Sequence, residues 1–488
     1  MNIVWATSEA HPFAKTGGLA DVSYALPEAL AKQGHQVSVI MPFYPQVMAK
    51  LDIKFTSKHQ MLGVPFGEKT EWSQILEYKL SENLTFYFIE FHRFYDRPAL
   101  YSWGDTEYSD NGQRFIFLSR AVMQAVLALD LYPDILHAND WHTALCCVYL
   151  KSWLYWDYEN FKNCRSILTI HNIGYQGTFH KSNLLWTGLG WEYFNFHCLE
   201  FYDKLNLLKS GIMTADMVNT VSPTYAEEIL SPPFAFDLHD PLCHCAFRGR
   251  LRGILNGIDD QEWDPSTDKL IPANFSADDL SGKDVCKAAL QKQFNLPERP
   301  NVPLVGLVSR LAYQKGIDVF IESLEDMLYH DDFQFVVLGS GEYWLENRLN
   351  ELAARYPGKI GIYIGYSDQV SHLVEAGSDF FVMPSRYEPC GLNQMYSMRY
   401  GTLPIVRATG GLEDTVCNYS PEHLNDSTGF KFFDLYPFAL TCTVRWAAYT
   451  YLDRHDDFRR MQQNGMRKDF SWNHTAELYR NLYQDAHR

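Results

Sequence analysis

Four short stretches of this sequence carry residue types that could do chemistry. The first is Lys15-Thr16-Gly17-Gly18, directly after the apolar run "NIVWA". Glycines let backbone approach a ligand closely, a helix start offers free N–H groups to an anion, and Lys15 adds a full positive charge. The same residues also describe a plain strand-to-helix turn with a solvated lysine, and the motif alone does not separate the two. The second is Arg310 and Lys315 with Gly316, after "VPLVGLVS". Arg grips oxygens in pairs and Lys acts as a point charge, so this set suits a diphosphate; two solvated surface charges are the alternative.

The third stretch is "DFFVMPSRYEPCGLNQMYSMRYG". Its apolar run ends at Pro384, Glu388 follows in a loop, and Gly391-Leu392-Asn393 opens a helix predicted to stop at Gly401. That is a second helix start available to an anion. An unpaired carboxylate there would repel the anion, so Glu388 is expected to face sugar hydroxyls instead. The fourth is a pair of polar runs, Asn139-Asp140-Trp141-His142 after "DILHA" and His171-Asn172 after "SILTI". Carboxylate, amide, imidazole and an aromatic face are what a sugar pocket uses. Asp140 and His171, each just past a strand, are read as functional, and His137 and His142 as core residues.

These stretches need a frame. The runs "NIVWA", "QVSVIM", "LTFYFIEF", "DILHA", "SILTIH" and "MVNTVS" have strand length and β-branched or aromatic character. So do "VPLVGLVS", "FQFVVLG", "KIGIYIG", "DFFVMP" and "LPIVRA". Helical stretches lie between several of them; "YALPEALAKQG" stops at Gly34, with Pro27 expected to kink or restart it. Strand–helix–strand order repeated in two blocks predicts two doubly wound α/β domains with parallel sheets. The boundary falls near "RLRGILNGIDDQEWDP". The division is residues 1–252, residues 253–470, and a last helix over residues 471–488. Ligands bind such sheets beyond the carboxyl ends of their strands, and two facing sheets make a cleft.

Composition narrows the function. The chain has 488 residues, 46% hydrophobic and 21% charged, with a formal net charge of −17. That balance argues against a broad nucleic-acid or anionic-membrane surface. No signal peptide is read at "MNIVWATSEA" and no run has the length of a membrane span. The 10 cysteines are scattered, which suits a reducing compartment. "CHC" at Cys243–Cys245 lacks a second pair at metal spacing and reads as a loop with free thiols. There is no complete G-x-G-x-x-G, no Walker A pattern, no H-E-x-x-H and no D-x-D.

The motifs "KTGGLADV", "HANDWH", "HNIGYQGTF", "NTVSPTYAEEI", "ILNGID", "SRLAYQKGID" and "GSDFFVMPSRYEPCGLNQMYSMRYGTLPIVRATGGLEDTV" occur in this order along the chain. Together they resemble the bacterial glycogen synthase and plant starch synthase family, nearly end to end. The resemblance implies the GT-B arrangement: two Rossmann-like domains facing a cleft, the first on the acceptor side and the second binding nucleotide sugar, with the last helix crossing back to the first. It implies retaining transfer of glucose from ADP-glucose to the non-reducing 4-hydroxyl of an α-1,4-glucan, whether glycogen, starch or a maltooligosaccharide. It implies no metal and no cofactor beyond the co-substrate.

Carried over motif by motif, the resemblance places Lys15, Gly17 and Gly18 on the diphosphate and first-domain side of the donor. Asp140 and His171 lie beside the transferred glucose, Arg310 and Lys315 hold the diphosphate, and Glu388 grips glucose hydroxyls. Gly391, Leu392 and Asn393 offer helix-start donors, Tyr366 stacks on adenine, and Asp21 and Asn256 lie near the cleft. Tyr95 resembles an acceptor-glucan contact. Three positions depart from the family: Tyr396 stands where the wider superfamily has a second glutamate, the segment 234–249 replaces a glycine-containing stretch, and Tyr343 replaces a proline.

Three other readings remain open on the residues. One is a transferase of the same architecture that uses UDP-glucose or a small-sugar acceptor. Another is a glucan phosphorylase, disfavoured because no lysine stands in a pyridoxal-phosphate motif. The last is a non-catalytic glucan-binding protein. The cytoplasm is the default compartment, or the plastid stroma if a transit peptide has been removed. Oligomeric state is not legible.

Overall fold

The computed structural model describes residues 1–104 and 106–488. The chain forms two compact units. One is Met1–Gly257 together with Trp472–Arg488, and the other is Ile258–Ser471.

The first unit is built on a nine-stranded sheet. Its strands are β1 (Asn2–Ala6), β2 (Gln36–Pro42), β3 (Thr56–Phe66), β4 (Lys69–Lys79), β5 (Leu84–Glu90), β6 (Ile135–Asn139), β7 (Arg165–Ile170), β8 (Met217–Thr220) and β9 (Leu251–Gly253). Their spatial order is β9-β8-β7-β6-β1-β2-β5-β4-β3. Pairings from β9 through β5 are parallel, and β3 and β4 add an antiparallel edge. β1 sits between β2 and β6, so the strand order reverses there. The loops that leave β1 and β6 therefore come out side by side at their carboxyl ends.

Helix α1 (Gly18–Lys32) follows β1. It runs unbroken through Pro27, contrary to the kink expected from sequence. One missing N–H in a helix whose Leu26, Pro27, Ala29 and Leu30 are all buried is outweighed by that packing. Gly34 does close it, at φ +89°. Helix α2 (Asn111–Ala128) covers the sheet with buried Phe115, Leu118 and Val122.

The second unit carries a six-stranded parallel sheet: β10 (Leu304–Val308), β11 (Gln334–Gly339), β12 (Ile360–Ile364), β13 (Phe380–Met383), β14 (Leu403–Arg407) and β15 (Phe430–Phe432). The order is β12-β11-β10-β13-β14-β15, so β10 and β13 flank its reversal point. Helix α3 (Ile317–His330) follows β10, and the short helix α4 (Asn393–Arg399) follows β13.

The last helix, α5 (Trp472–Ala486), belongs to the first unit and packs on α1. Its Tyr479 and Tyr483 are fully buried. Asn219 Nδ2 donates to the Tyr479 hydroxyl at 2.9 Å, and the Tyr483 hydroxyl meets His137 Nδ1 at 2.8 Å.

One element was missed from sequence and one expectation is corrected here. The hairpin β3–β4 is absent from the sequence reading because register irregularities at Ser57/His59 and His59/Leu62 break the alternation that would announce it. The "CHC" segment is helical, within His239–Phe247, with Cys243 exposed and Cys245 buried, rather than a loop.

Candidate active site

In the first unit, α1 opens at Gly18 with Gly17 at its N-cap and no side-chain cap. The first N–H groups of the helix are thus left without a side-chain acceptor. Gly17 has extended backbone, φ −160°, and a Cβ built there meets nothing within 4 Å. Neither strain nor protein packing demands glycine at this position; what it leaves is open space over the helix start. Lys15, Thr16, Gly17 and Gly18 are all exposed. Lys15 Nζ donates to Asp21 Oδ1 at 2.7 Å. Both side chains reach solvent, so the pair is weak and Lys15 can be recruited by another anion.

Asp140 is the first residue beyond β6 and has φ +51°, a left-handed conformation that costs an L-residue about 1–2 kcal/mol. It is buried, and its Oδ1 accepts from the His171 N–H at 2.7 Å. Burial pushes its pKa up to about 7, against the pull of the His171 and Asn172 backbone N–H groups. The His171 ring lies 2.9 Å from Asn139 Oδ1 through Nε2, which must carry the proton to donate there. Desolvation lowers the ring's pKa to about 3, so the imidazole is neutral near pH 7. Asn139 is itself fixed by donating to the Ala6 carbonyl at 3.0 Å. The ends of β1, β6 and β7 are thereby tied into one polar network.

His137 is a core residue between Tyr483 and Thr169, as the sequence suggested. His142 is also buried, stacked on Trp141 with ring centroids 4.0 Å apart. Trp141 is not the open sugar platform its motif suggested. Its ring is buried against His142 and Phe115 and fills the space where a Gly177 side chain would stand.

Tyr95 requires the clearest correction. Its ring is fully buried, and its hydroxyl donates to the Arg114 carbonyl at 3.0 Å. A side chain with no exposed surface offers nothing to a glucan; it anchors α2 instead. Asn256 is buried near the end of the first unit, with an Oδ1 that finds no hydrogen-bond partner among the described residues.

In the second unit, the loops after β10 and β13 build the site. Lys315 Nζ donates to Glu388 Oε2 at 2.6 Å, and Ser385 Oγ donates to the same oxygen at 2.9 Å. From sequence, Glu388 is expected to be a carboxylate that turns to sugar hydroxyls because, unpaired, it would repel an anion. The structure supplies a counter-charge from the neighbouring loop, so the premise of an unpaired acid is corrected. Arg310 is exposed and touches Gln314 Oε1 at 3.3 Å.

A clasp that sequence reasoning missed holds the two loops together. Arg386 donates to both oxygens of Asp318 at 2.7 Å, and its guanidinium lies 3.4 Å from the centroid of the Tyr313 ring. Its backbone N–H donates to the Gln314 carbonyl at 2.8 Å. Gly316, at φ +67°, passes so close that a Cβ would collide with the Pro384 carbonyl oxygen. Gly410, at φ +47°, gives the same clearance to the Glu388 carbonyl. The signals in the sequence were the Arg386–Asp318 charge pairing and the glycine pair of "ATGGLED". Both look like ordinary loop residues until the strand order is known.

Gly391 has φ +74°, and α4 starts at Asn393 with Leu392 as an N-cap that gives no side-chain bond. Asn393 Nδ2 ties this start to the Val308 carbonyl at the end of β10, 2.8 Å away. Tyr366, just past β12, presents an exposed ring whose hydroxyl bonds Asp368. Tyr396 stacks on Trp263 at 3.9 Å, which in turn stacks on His372 at 3.9 Å. That position serves packing here. Nothing in the structure explains Tyr343.

The chain matches the family described as "Starch synthase catalytic domain" over residues 2–244 and that described as "Glycosyl transferases group 1" over residues 289–431. Glycogen synthase 1 of Geobacter sulfurreducens is 45% identical, covering 100% of this chain and 97% of that protein. Glycogen synthase of Myxococcus xanthus is 46% identical over 99% of each. The catalytic domain of starch synthase IV from Arabidopsis thaliana, solved bound to ADP and acarbose, superposes with a TM-score of 0.89 at 32% identity over 99% of both chains. Sucrose-phosphate synthase from Thermosynechococcus elongatus, at 18% identity and a TM-score of 0.60, shares the fold.

Proposed function

The chain belongs to the glycogen and starch synthase family of glucosyltransferases, and on that footing we propose that it moves glucose from ADP-glucose to the non-reducing 4-hydroxyl of an α-1,4-glucan, with retention at the anomeric carbon. The observation that carries the reading is the set after β10 and β13. There the Lys315–Glu388 pair, Ser385, Arg310 and the start of α4 converge at the sheet's reversal point.

Breaking the sugar–phosphate bond puts positive character on the glucosyl carbon and negative charge on the leaving ADP. Preorganised positive groups at the diphosphate are the largest available help. Arg310 supplies a bidentate cation and the start of α4 supplies backbone donors. Lys315 has three N–H donors, so it can keep Glu388 in place with one and reach a phosphate oxygen with another. Glu388, held by Lys315 and Ser385, retains lone pairs for glucose hydroxyls. On the first unit, Lys15 and the open start of α1 are assigned to donor phosphate by the same chemistry. Asp140 and the neutral His171 are assigned to the transferred sugar, and Tyr366 to the adenine face.

The acceptor hydroxyl enters on the face that ADP leaves, and the departing phosphate takes its proton. This gives retention without a carboxylate nucleophile, which a double displacement would need. The reading uses no metal: lysine, arginine and helix starts carry the neutralising charge. A reducing cytoplasm suits the ten free cysteines. Among the described residues no helix is long and apolar enough to cross a membrane.

The test is incorporation of labelled glucose from ADP-glucose and from UDP-glucose, with glycogen, maltose and fructose as acceptors. ADP-glucose with glycogen is the expected pair. Preference for UDP-glucose, transfer to fructose, or glucan binding without ADP release would each overturn the assignment. A glucosyl ester trapped on Glu388 would overturn the single-step mechanism.

A further inference from the structure

The loop that leaves β1 contains a buried acid that the transfer chemistry above leaves unused. Glu9 is 3% exposed. Its Oε2 accepts two bonds from Thr16, one from the backbone N–H at 2.6 Å and one from the hydroxyl at 2.8 Å. Thr16 lies between Lys15 and Gly17, within the exposed run that opens α1.

The two ends of this link differ in rigidity. On the Glu9 side, the Thr7 N–H donates to the Ile40 carbonyl at 3.1 Å. The Thr7 hydroxyl donates to the Glu9 carbonyl at 2.9 Å and lies 3.0 Å from Ser23 Oγ. The Tyr44 hydroxyl donates to the Ser8 carbonyl at 2.9 Å. Glu9 therefore stands on the sheet, on α1 and on a buried tyrosine. On the Thr16 side the exposed run Lys15–Gly18 faces solvent and passes directly into α1.

We propose that Glu9 is a positioning residue for the sugar-nucleotide donor: by accepting both bonds from Thr16 it fixes the backbone of Lys15–Gly18, and with it the direction of the Lys15 ammonium and of the N–H groups that open α1. The inference rests on the reading of that loop as a donor contact. Glu9 itself touches no substrate. Without the strut, donor binding has to order the loop, and the cost falls on donor affinity. Burial, reinforced by the Asp140 and Asp21 carboxylates, pushes Glu9 up to about 8. The two Thr16 bonds oppose that rise without cancelling it, so Glu9 is mostly uncharged near pH 7 and adds little negative charge where a diphosphate must approach.

The experiment measures initial rates with ADP-glucose and glycogen varied separately. The variants are Glu9→Leu, Glu9→Gln, Thr16→Val and Lys15→Ala. Glu9→Leu is expected to raise donor KM by about tenfold or more, with glycogen KM within about twofold of the parent. Thr16→Val, which loses one of the two bonds, shifts donor KM in the same direction by about threefold. Glu9→Gln restores donor KM to within about threefold of the parent, because the amide oxygen accepts the same bonds.

Unchanged donor KM in both Glu9→Leu and Thr16→Val overturns the proposal. So does an equal rise in both KM values, which marks general damage to the fold, and so does a Glu9→Gln as impaired as Glu9→Leu. If Glu9→Leu does not fold, Thr16→Val at the exposed position decides. Lys15→Ala separates the two levels: unchanged donor kinetics there refutes the donor reading of the loop and the strut with it. Impaired Lys15→Ala beside normal Glu9→Leu and Thr16→Val refutes the strut alone.

Discussion

Replacing Lys315 with alanine removes one charge from the proposed leaving-group site and, in the same step, strips Glu388 of its counter-charge, leaving it only the Ser385 hydroxyl. The two effects have different readouts. Lys315 and Glu388 meet at 2.6 Å with side chains 20% and 8% exposed. Deleting one partner of a buried pair costs about 3–5 kcal/mol, and the exposure of Lys315 to water places this case at or below the low end. That term acts on stability. Losing one preorganised donor at the developing charge costs about 2.7–4 kcal/mol at the transition state, or about 100- to 1000-fold in kcat.

The double variant Lys315→Ala/Glu388→Gln separates them. The amide leaves no uncompensated carboxylate, so thermal stability recovers toward that of Glu388→Gln alone. The leaving group still lacks its cation, so ADP release at saturating ADP-glucose and glycogen stays about 100-fold or more below the parent. The assay is coupled detection of ADP together with the unfolding midpoint of each variant. Recovery of turnover to within about tenfold of the parent in the double variant would refute the reasoning, since the single variant's loss would then come from the stranded carboxylate.

Four further outcomes follow from the geometry. Tyr95→Phe removes the bond to the Arg114 carbonyl and is expected to cost about 1 kcal/mol of stability with glycogen KM unchanged; a several-fold rise in that KM with no change in stability would return Tyr95 to the glucan. Glu9 binds its proton more tightly in the folded state than in the unfolded one, since its pKa rises from 4.5 to about 8. Stability therefore falls as pH rises through that window, and Glu9→Gln flattens the fall, measured as unfolding free energy at pH 5 and pH 8. Gly316→Ala combines φ +67° with a collision against the Pro384 carbonyl, so it is expected to lose about 1–2 kcal/mol or more and to lower kcat by separating the Lys315 loop from the Glu388 loop; wild-type kinetics would contradict that coupling. An excess of chelator is expected to leave initial rates unchanged, and a fall restored by added divalent cation would show that the lysine and arginine charges are insufficient.

The sequence was legible wherever a local pattern has a local cause. Every apolar run read as a strand is one, because β-branched and aromatic residues of that length have few other stable choices inside a core. The helix start after Gly391 and the stops at Gly34 and Gly401 followed from glycine's freedom to take positive φ, and the start at Gly18 from its place directly after a strand. Trp141 and Pro27 were assessed by residue type and Tyr95 by its place in a motif, and in all three burial decided the role. Tyr95 and Trp141 are aromatic rings that the core absorbed, and the packed face of α1 overrode Pro27.

By itself, then, the chain determined which elements form, where they end, and which polar residues stand just beyond strands. Strand order decided what those residues do. Placing β10 beside β13 brings Lys315 to Glu388 across 73 positions of sequence, and placing β1 beside β6 and β6 beside β7 brings Asn139, Asp140 and His171 into one network. Pairing between distant strands is a property of the whole sheet, set by burying both its faces at once. No local spacing records it, and so the counter-charge on Glu388 emerges only when the chain has folded.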